Sequence, residues 1–235
     1  MKRRLFFGLA AMSVVPALLL TDESSRLEKT IIDAGLGVKL VFLPDLHIHH
    51  EEKRLAEVLE AVLDEQPDVV VLGGDLVDEY TRDTRYVERF VSEIPGRERY
   101  FVMGNHEYWS GRDSWVRKML HERNFREIRG LAESSRLGKI YGFDWSENRV
   151  YPRVSAEGLV FAHDPNAFDF VDGRCLMLAG HTHGGLVLGN LTLLSNSRYA
   201  RGYYTAGQKS LYVSKGLGQI FPLRPFSSRE LVVVV

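Results

Sequence analysis

The fold is decided by residues 38–75, whose sequence is VKLVFLPDLHIHHEEKRLAEVLEAVLDEQPDVVVLGGD. The apolar run at residues 38–43 predicts a buried strand, and a second apolar run at residues 69–72 predicts another. Between the two runs, apolar residues recur at the spacing i, i+3, i+4, i+7 and i+8, which predicts an amphipathic helix: Leu55, Val58, Leu59, Val62 and Leu63. The stretch is therefore a strand–helix–strand unit whose strands both run into polar residues.

The same alternation continues along the chain. Apolar residues within 87–94 predict a second helix that ends before a Pro-Gly pair, and residues 100–103 predict a third strand. The apolar face within residues 115–120 predicts a third helix, with Ser110 or Asp113 as its N-cap. Alternating strands and helices favour a largely parallel sheet, in which ligands bind beyond the carboxyl ends of the strands.

The pattern changes after residue 125, where no long helical period is evident. Short apolar runs there predict strands near residues 139–143, 159–162, 175–178, 211–214 and 231–235. The second half of the chain is therefore expected to add strands to the same α/β domain.

Composition limits the classes of protein to which the chain can belong. Its 235 residues are 45% hydrophobic, which suits one α/β domain with a sizeable core. Thirty basic and 31 acidic residues give a formal net charge of -1, so no overall basic field favours nucleic acid, and no specific nucleic-acid partner is predicted. The single cysteine, Cys175, has apolar neighbours, which favour a core position over a catalytic thiol.

The first twenty residues predict a targeting or anchoring segment, because Lys2-Arg3-Arg4 precede an almost wholly apolar run at residues 5–20. The run is shorter than the about 20 residues of a membrane-spanning helix and contains Pro16, so a signal peptide and a short anchor remain alternatives. Residues 3–7 resemble a twin-arginine export signal, whereas paired arginines can also simply orient a membrane segment. Both alternatives predict a membrane-associated or exported protein whose domain lies outside the cytoplasm.

The rest of the chain is divided by composition. Residues 21–37 predict a polar linker followed by a first strand or turn. Residues 38–235 predict one globular domain, because no internal repeat or low-complexity tract interrupts them.

Chemically reactive side chains follow the predicted strands. The segments are Asp45-Leu46-His47, Gly73-Gly74-Asp75, Gly104-Asn105-His106-Glu107, His163 and Gly180-His181-Thr182-His183. Each segment taken alone has a structural explanation, such as a helix cap, a turn or a buried histidine. Taken together, they place five of the eight histidines at strand ends beside glycines and acidic groups, which favours a metal site.

This ordered set resembles the calcineurin-like metallophosphoesterases, whose pattern is D-x-H, GD, GNH followed by D or E, H, and GHxH. The resemblance implies a four-layer αββα sandwich of two mixed β-sheets flanked by helices. It also implies that Asp45, His47 and His183 bind one metal, and that Asp75 bridges both metals. The second metal is then bound by Asn105, His163 and His181, and His106 is not a ligand.

The implied chemistry is hydrolysis of a phosphate ester by a water that two metal ions activate. Nitrogen and oxygen ligands without thiolate favour manganese, with iron or zinc as alternatives. His106 is expected to protonate the leaving oxygen or to stabilise charge on the phosphoryl group. Its neighbour Glu107 is equally explained as part of a helix start.

The C-terminal part of the chain resembles the membrane-associated or exported phosphodiesterase branch of the same family. The residues that carry this resemblance include Gly202-Tyr203, residues 211–218 and Pro222-Leu223-Arg224. The double glycine after His183 agrees with the branch, whereas Leu186 stands where a glutamine is common.

Further residues are candidates for contacts with substrate. Four cations are candidates for binding a second phosphate or an anionic headgroup, and solvated charges are the alternative: Arg198, Arg201, Lys215 and Arg224. His49 and His50 are candidates for substrate contacts, and Tyr108 and Trp109 are candidates for walls of the cleft. The alternative is that all four are ordinary loop residues with no role in binding.

The predicted function is therefore the hydrolysis of phosphodiester or pyrophosphate bonds in a small-molecule or lipid-linked substrate. A phosphomonoesterase acting on protein or nucleotide is an alternative, because the same metal pair activates water for both bond types. A catalytically silent interaction module on the same fold is the other alternative, but such a module has no need of the complete ligand set.

Overall fold

The computed structural model describes residues 25–49, 52–188, 191–219 and 227–235. The predicted targeting segment at residues 1–20, and also His50 and Arg224, lie outside the described residues. Every helix in the described ranges is too short or too polar to cross a bilayer.

Strands dominate the described chain. In chain order they are β1 (Leu27–Ile32), β2 (Leu40–Leu43), β3 (Val69–Leu72), β4 (Glu98–Phe101), β5 (Arg126–Glu127), β6 (Gly130–Ser134), β7 (Gly138–Phe143), β8 (Val154–Ser155), β9 (Gly158–Ala162), β10 (Val171–Asp172), β11 (Cys175–Ala179), β12 (Leu186–Leu188), β13 (Leu191–Leu194), β14 (Gly202–Ala206), β15 (Lys209–Val213) and β16 (Arg229–Val234). The helices are α1 (Glu52–Glu65), α2 (Thr84–Glu93), α3 (Asn105–Trp109), α4 (Asp113–Glu122) and a 3₁₀ helix at Pro165–Phe170.

Two six-stranded mixed sheets form the centre of the molecule. The first has the order β1-β16-β2-β3-β4-β5, and the second has the order β14-β15-β11-β9-β7-β6. In the first sheet β2, β3, β4 and β5 are mutually parallel, and in the second β7, β9, β11 and β15 are mutually parallel. The predicted sandwich of two mixed sheets is confirmed.

The unbroken apolar runs of the central strands follow from burial on both faces. Along β2, Leu40 and Phe42 pack between the two sheets, whereas Val41 and Leu43 pack against the helices on the outer face. The helices α1, α2 and α4 cover this outer face through their predicted apolar stripes. The outer face of the second sheet is covered differently, because residues of the 3₁₀ helix pack there, including Phe168.

Some local predictions need correction. Strand β4 begins two residues before the predicted 100–103 and ends at Phe101, although Val102 still donates to the Leu72 carbonyl at 3.0 Å. Neither predicted N-cap serves α4: Ser110 is the C-cap of α3, and Asp113 is already the first residue of the helix. The residue before α4, Arg112, makes no side-chain capping bond.

The sheet also extends outside the predicted domain. Residues 27–32 form β1, which pairs in parallel with the C-terminal strand β16 from Leu27 opposite Arg229 to Ile32 opposite Val234. The predicted linker at residues 21–37 therefore contributes its expected strand to the edge of the first sheet, N-terminal to the predicted domain start at residue 38.

A buried carboxylate connects the two sheets. Glu230, on β16, accepts hydrogen bonds from the hydroxyls of Thr30 at 2.5 Å and Tyr212 at 2.6 Å, and from the Lys215 amide at 2.8 Å. Tyr212 belongs to β15 of the second sheet, so this bond crosses the sandwich. Burial and the charge of Glu230 raise the pKa of the Tyr212 hydroxyl, which therefore stays a donor.

Replacing Tyr212 by phenylalanine should destabilise the fold. The Tyr212→Phe variant keeps the ring but leaves a buried carboxylate oxygen with one donor fewer. A hydrogen bond to a charged group contributes about 1.5–3 kcal/mol, so the free energy of unfolding in urea should fall by about that amount. The control is Tyr203→Phe, at a tyrosine of β14 that is 54% exposed. Equal stability of the two variants would contradict the structural role given to Glu230.

Candidate metal centre

The predicted metal ligands converge where the two sheets meet. Asp45 and His47 follow β2, Asp75 follows β3, and Asn105 opens α3 after β4. From the second sheet, His163 follows β9, and His181 and His183 follow β11. Six of these seven residues are buried, and His183 is partly exposed. Loops that are far apart in sequence are thus assembled at one edge of the sandwich.

The backbone at this edge adopts a conformation that residues other than glycine rarely take. Five of the seven candidate ligands have left-handed φ angles, namely Asp45 at 55°, His47 at 42°, Asp75 at 53°, His181 at 73° and His183 at 50°. Such residues cost about 1–3 kcal/mol each and persist only where the surroundings hold them, which is typical of functional sites.

Backbone hydrogen bonds hold the first two loops together. The Asp45 amide donates to the Gly74 carbonyl at 3.0 Å, and the His47 amide donates to the Asp75 carbonyl at 2.9 Å. The loops after β2 and β3 therefore fix each other's conformation, and with it the direction of both carboxylates.

The side chains form two neighbouring groups, each with three donor atoms within 4.8 Å of one another. The His47 group consists of Asp45, His47 and His183, and the His163 group consists of Asp75, His163 and His181. In the His47 group, the two Nε2 atoms lie 3.2 Å apart. In the His163 group, Nε2 of His163 lies 3.1 Å from Nδ1 of His181.

Asp75 lies between the two groups. Its Oδ2 is 3.0 Å from Nε2 of His163 and 3.7 Å from Nε2 of His47. Asn105 adds a neutral oxygen to the second group, because its Oδ1 lies 3.1 Å from the same nitrogen of His163. The structure therefore brings the predicted ligands together in two groups, and Asp75 Oδ2 lies near an imidazole of each.

The hydrogen bonds behind the imidazoles fit metal binding. Nδ1 of His47 contacts Asp78 at 3.0 Å, Nδ1 of His163 contacts the Gly73 carbonyl at 3.0 Å, and Nδ1 of His183 contacts the Gly218 carbonyl at 3.1 Å. Each acceptor favours the tautomer with the proton on Nδ1, which leaves a lone pair on Nε2. Two such lone pairs 3.2 Å apart repel each other unless a cation or a proton lies between them. The donor set therefore fits two divalent cations.

Electrostatics at the site reflect the excess of carboxylate. Burial opposes the charged form of His163, but the adjacent Asp75 and Asp45 outweigh it and raise the pKa of His163 to about 10. Burial would raise the pKa of Asp75, yet the charge and hydrogen bond of His163 hold it well below its usual range. Burial, together with the charge of His163, lowers the pKa of His181 to about 2. A proton on His163 thus neutralises charge that cations would neutralise, so metal binding should release it.

Glu107 stabilises the site by accepting hydrogen bonds from backbone amides. Its carboxylate accepts the amides of Gly104 at 2.8 Å, Asp75 at 3.0 Å and Leu76 at 2.6 Å. Two of these donors belong to the turn after β3, so the acid positions Asp75 as well as capping α3. Glycine is required beside it, because a Cβ on Gly104 would lie 2.6 Å from the Asp75 backbone nitrogen.

His106 lies beside the ligands without joining either group. Its amide donates to Oδ1 of Asp75 at 2.9 Å, and its ring Nδ1 contacts Oε2 of Glu79 at 2.7 Å. The side chain is 12% exposed, and its ring lies edge-on to that of His47 with the centroids 5.1 Å apart. Glu79 therefore orients an imidazole that reaches the surface next to the two groups of candidate ligands.

Aromatic side chains line the mouth of the site. Trp109 is 50% exposed, and its ring centroid lies 5.1 Å from that of His106 and 6.1 Å from that of Trp145. Both tryptophan Nε1 atoms donate to the same oxygen of Glu147 at 3.0 Å. Tyr108 is not part of this wall, because it packs against the outer core and its hydroxyl donates to Asp144 at 2.6 Å.

The candidate substrate-binding cations have partners elsewhere. Arg198 is 71% exposed and pairs with Asp169, and Lys215 contacts Glu28 and Ser228. Arg201 and Lys215 line a separate cleft of about 450 Å³ together with several acidic and hydroxyl side chains. Their role in substrate binding stays a prediction.

Sequence reasoning missed several residues at the site. Asp78 contacts and positions His47, and Glu79 contacts and positions His106. Both could have been found from the sequence because they lie only three and four residues after Asp75. Trp145 follows β7, which is parallel to β9. The predicted strand at residues 139–143 therefore already indicated that the residues after it lie at the same sheet edge as His163.

Removing the charge of Asp78 should weaken metal binding. Asp78→Asn keeps the shape of the side chain but loses the carboxylate that holds Nδ1 of His47, and such outer partners typically change metal affinity about 10–100-fold. Calorimetric titration with Mn²⁺ measures the change, and the matched control is Asp64→Asn on the exposed face of α1. Unchanged affinity in Asp78→Asn would show that His47 needs no such support.

Comparison with known proteins agrees with this geometry. Residues 38–199 match the family model described as calcineurin-like phosphoesterase. An uncharacterized metallophosphoesterase of Campylobacter jejuni is 29% identical over 92% of the chain, which spans 63% of that protein. One of Aquifex aeolicus is 30% identical over 96% of the chain and 95% of its own length. The phosphodiesterase YaeI of Escherichia coli is 24% identical over 82% of the chain and 79% of its length. The chain belongs to the calcineurin-like phosphoesterase family.

Proposed function

We propose that the protein hydrolyses phosphodiester bonds at a dinuclear metal centre formed by the His47 and His163 groups. The observation that carries this proposal is the position of Asp75 Oδ2, which is 3.0 Å from one group's imidazole and 3.7 Å from that of the other. When bound, two divalent cations supply Lewis-acid polarisation of the phosphoryl oxygens and lower the pKa of an attacking water. Manganese is the proposed metal, with iron or zinc as alternatives.

The choice of a diester rests on similarity. The Escherichia coli relative YaeI is named a phosphodiesterase, and it matches 82% of this chain. A phosphomonoesterase would use the same ligands, so a panel of monoesters and diesters decides between the two activities. A small-molecule or lipid-linked phosphate ester stays the predicted substrate.

His106 is proposed to assist the leaving group. Its ring nitrogen Nδ1 contacts Glu79, so Nε2 is the atom left to face substrate. The ring is held between His47 and Trp109, with centroid distances of 5.1 Å to each. A positioned imidazole can donate a proton to a departing oxygen or stabilise charge on the phosphoryl group.

Removal of metal should abolish hydrolysis. Exhaustive treatment with a chelator is expected to eliminate activity on bis-p-nitrophenyl phosphate, and added Mn²⁺ should restore it, because the chain's own residues provide no other means of activating water in this proposal. Asp75→Asn should recover little activity even with excess Mn²⁺, since the shared carboxylate loses its charge. Full activity in the metal-free protein would contradict the mechanism.

His106→Ala should retain bound metal and lose rate in a manner that depends on the leaving group. General acid catalysis contributes about 10²–10⁴-fold, and it matters most where the departing oxygen is strongly basic. The variant should therefore lose more activity on a diester with an alkyl leaving group than on bis-p-nitrophenyl phosphate, when chemistry limits both rates.

Glu79→Gln should show a weaker form of the same dependence, because it keeps the imidazole and weakens only its contact with residue 79. Equal losses on both substrates would favour charge stabilisation over proton donation. Loss of metal from His106→Ala would contradict its assignment as a nonligand.

A further inference from the structure

An arginine that the sequence did not single out lies at the metal centre. Arg149 belongs to the loop that follows β7, and β7 runs parallel to β9, so the loop reaches the same edge as His163. Its φ angle is 53°, as in five of the candidate ligands. The Arg149 amide closes a turn onto the Ser146 carbonyl at 2.8 Å, and Asn148 accepts the Ser146 hydroxyl at 2.7 Å. The loop thus holds the side chain toward the metal groups.

The guanidinium directly contacts a candidate ligand. Its Nη2 lies 2.8 Å from Nε2 of His181, and its Nη1 donates to the Asn196 carbonyl at 2.6 Å. The Trp145 ring supports it from one face, with the arginine Cζ 5.3 Å from the ring centroid. The side chain is 31% exposed, so part of it is accessible from solvent.

The positive charge of Arg149 is only weakly compensated. The nearest carboxylate oxygen among the described residues, Oδ1 of Asp164, lies 3.9 Å away. That oxygen already accepts the Asn166 amide at 3.0 Å, while the other accepts the Tyr151 hydroxyl at 2.9 Å. A guanidinium has five donors in a planar fork that suits phosphate oxygens. The contacts in the structure use only part of this capacity.

A cation bound by His181 would change the partner of Arg149. Nδ1 of His181 lies 3.1 Å from Nε2 of His163, so Nδ1 is the atom that would hold a cation. A neutral imidazole with its Nδ1 lone pair given to a cation carries its proton on Nε2. That nitrogen would then be a donor facing the donors of Arg149, and the guanidinium would need a different acceptor. An ester bound at the same centre brings such acceptors in its phosphoryl oxygens.

We propose that Arg149 binds a nonbridging phosphoryl oxygen of the substrate. The proposal rests on the proposed function, and it is distinct from the prediction that Arg198, Arg201, Lys215 and Arg224 bind a second phosphate or an anionic headgroup. Asn196 and Trp145 hold the guanidinium in place, so little conformational entropy is lost when substrate binds.

The test compares three variants loaded with Mn²⁺. Arg149→Gln removes the charge, Arg149→Lys keeps the charge without the fork, and Arg153→Gln is the control at an exposed arginine that also lies over an aromatic ring. Metal content is measured for each variant, and the affinity for inorganic phosphate is measured by calorimetry. KM and kcat for bis-p-nitrophenyl phosphate are then compared.

Arg149→Gln should keep two Mn²⁺ ions per chain and bind phosphate about 10–100-fold more weakly, as expected for loss of a charged hydrogen bond. Arg149→Lys should lie between this variant and the wild type, and Arg153→Gln should match the wild type. In Arg149→Gln, KM should rise in parallel with the dissociation constant for phosphate.

Three results would overturn the assignment. They are unchanged phosphate affinity in Arg149→Gln, loss of metal from that variant, and absence of phosphate binding by the wild-type protein. Loss of metal would show that the arginine positions His181 instead. A wild-type protein that binds phosphate but hydrolyses no ester would contradict the proposed function while the comparison of phosphate affinities remained valid.

Discussion

The rest of the site depends on the contacts that pair the buried carboxylate of Asp75. A carboxylate without solvent must be paired, and here every partner comes from a different loop. His163 of the second sheet contacts Oδ2 at 3.0 Å, whereas the His106 amide of the first sheet donates to Oδ1 at 2.9 Å. One side chain therefore connects the ends of both sheets, and its position determines where both donor groups can form.

This arrangement concentrates charge and backbone strain at one edge of a stable sandwich. Residues with left-handed φ angles and imidazole nitrogens that face each other are unfavourable in isolation. The surrounding loops keep both features in place. Cations that bind the folded site and not the unfolded chain would stabilise the fold by mass action. The apolar sheets tolerate the strain because their central strands are buried on both faces, so a site of this kind can be preorganised before any ligand arrives.

Much of this could be predicted from the sequence. The central strands were predictable because burial on both faces produces unbroken apolar runs, as at Val69–Leu72. The convergence of the candidate ligands could be expected because each segment that carries them follows such a run. The edge strand β6 was not predictable, since one face of Gly130–Ser134 is exposed and its apolar signal is weak. Arg149 was missed for a different reason: a charged loop residue has no pattern that distinguishes a site from solvent.

The relation between the two sheets decides whether the site exists at all. The first sheet supplies the carboxylates, the amide oxygen and His47, and the second supplies the remaining imidazoles, so neither sheet alone can hold two cations. The distance between these sets depends on the core between the sheets, where the rings of Phe42 and Phe161 lie 6.2 Å apart and Glu230 accepts the Tyr212 hydroxyl. Packing between the sheets therefore sets the separation of the two groups of candidate ligands, so the inter-sheet core contributes to the proposed catalysis by positioning them.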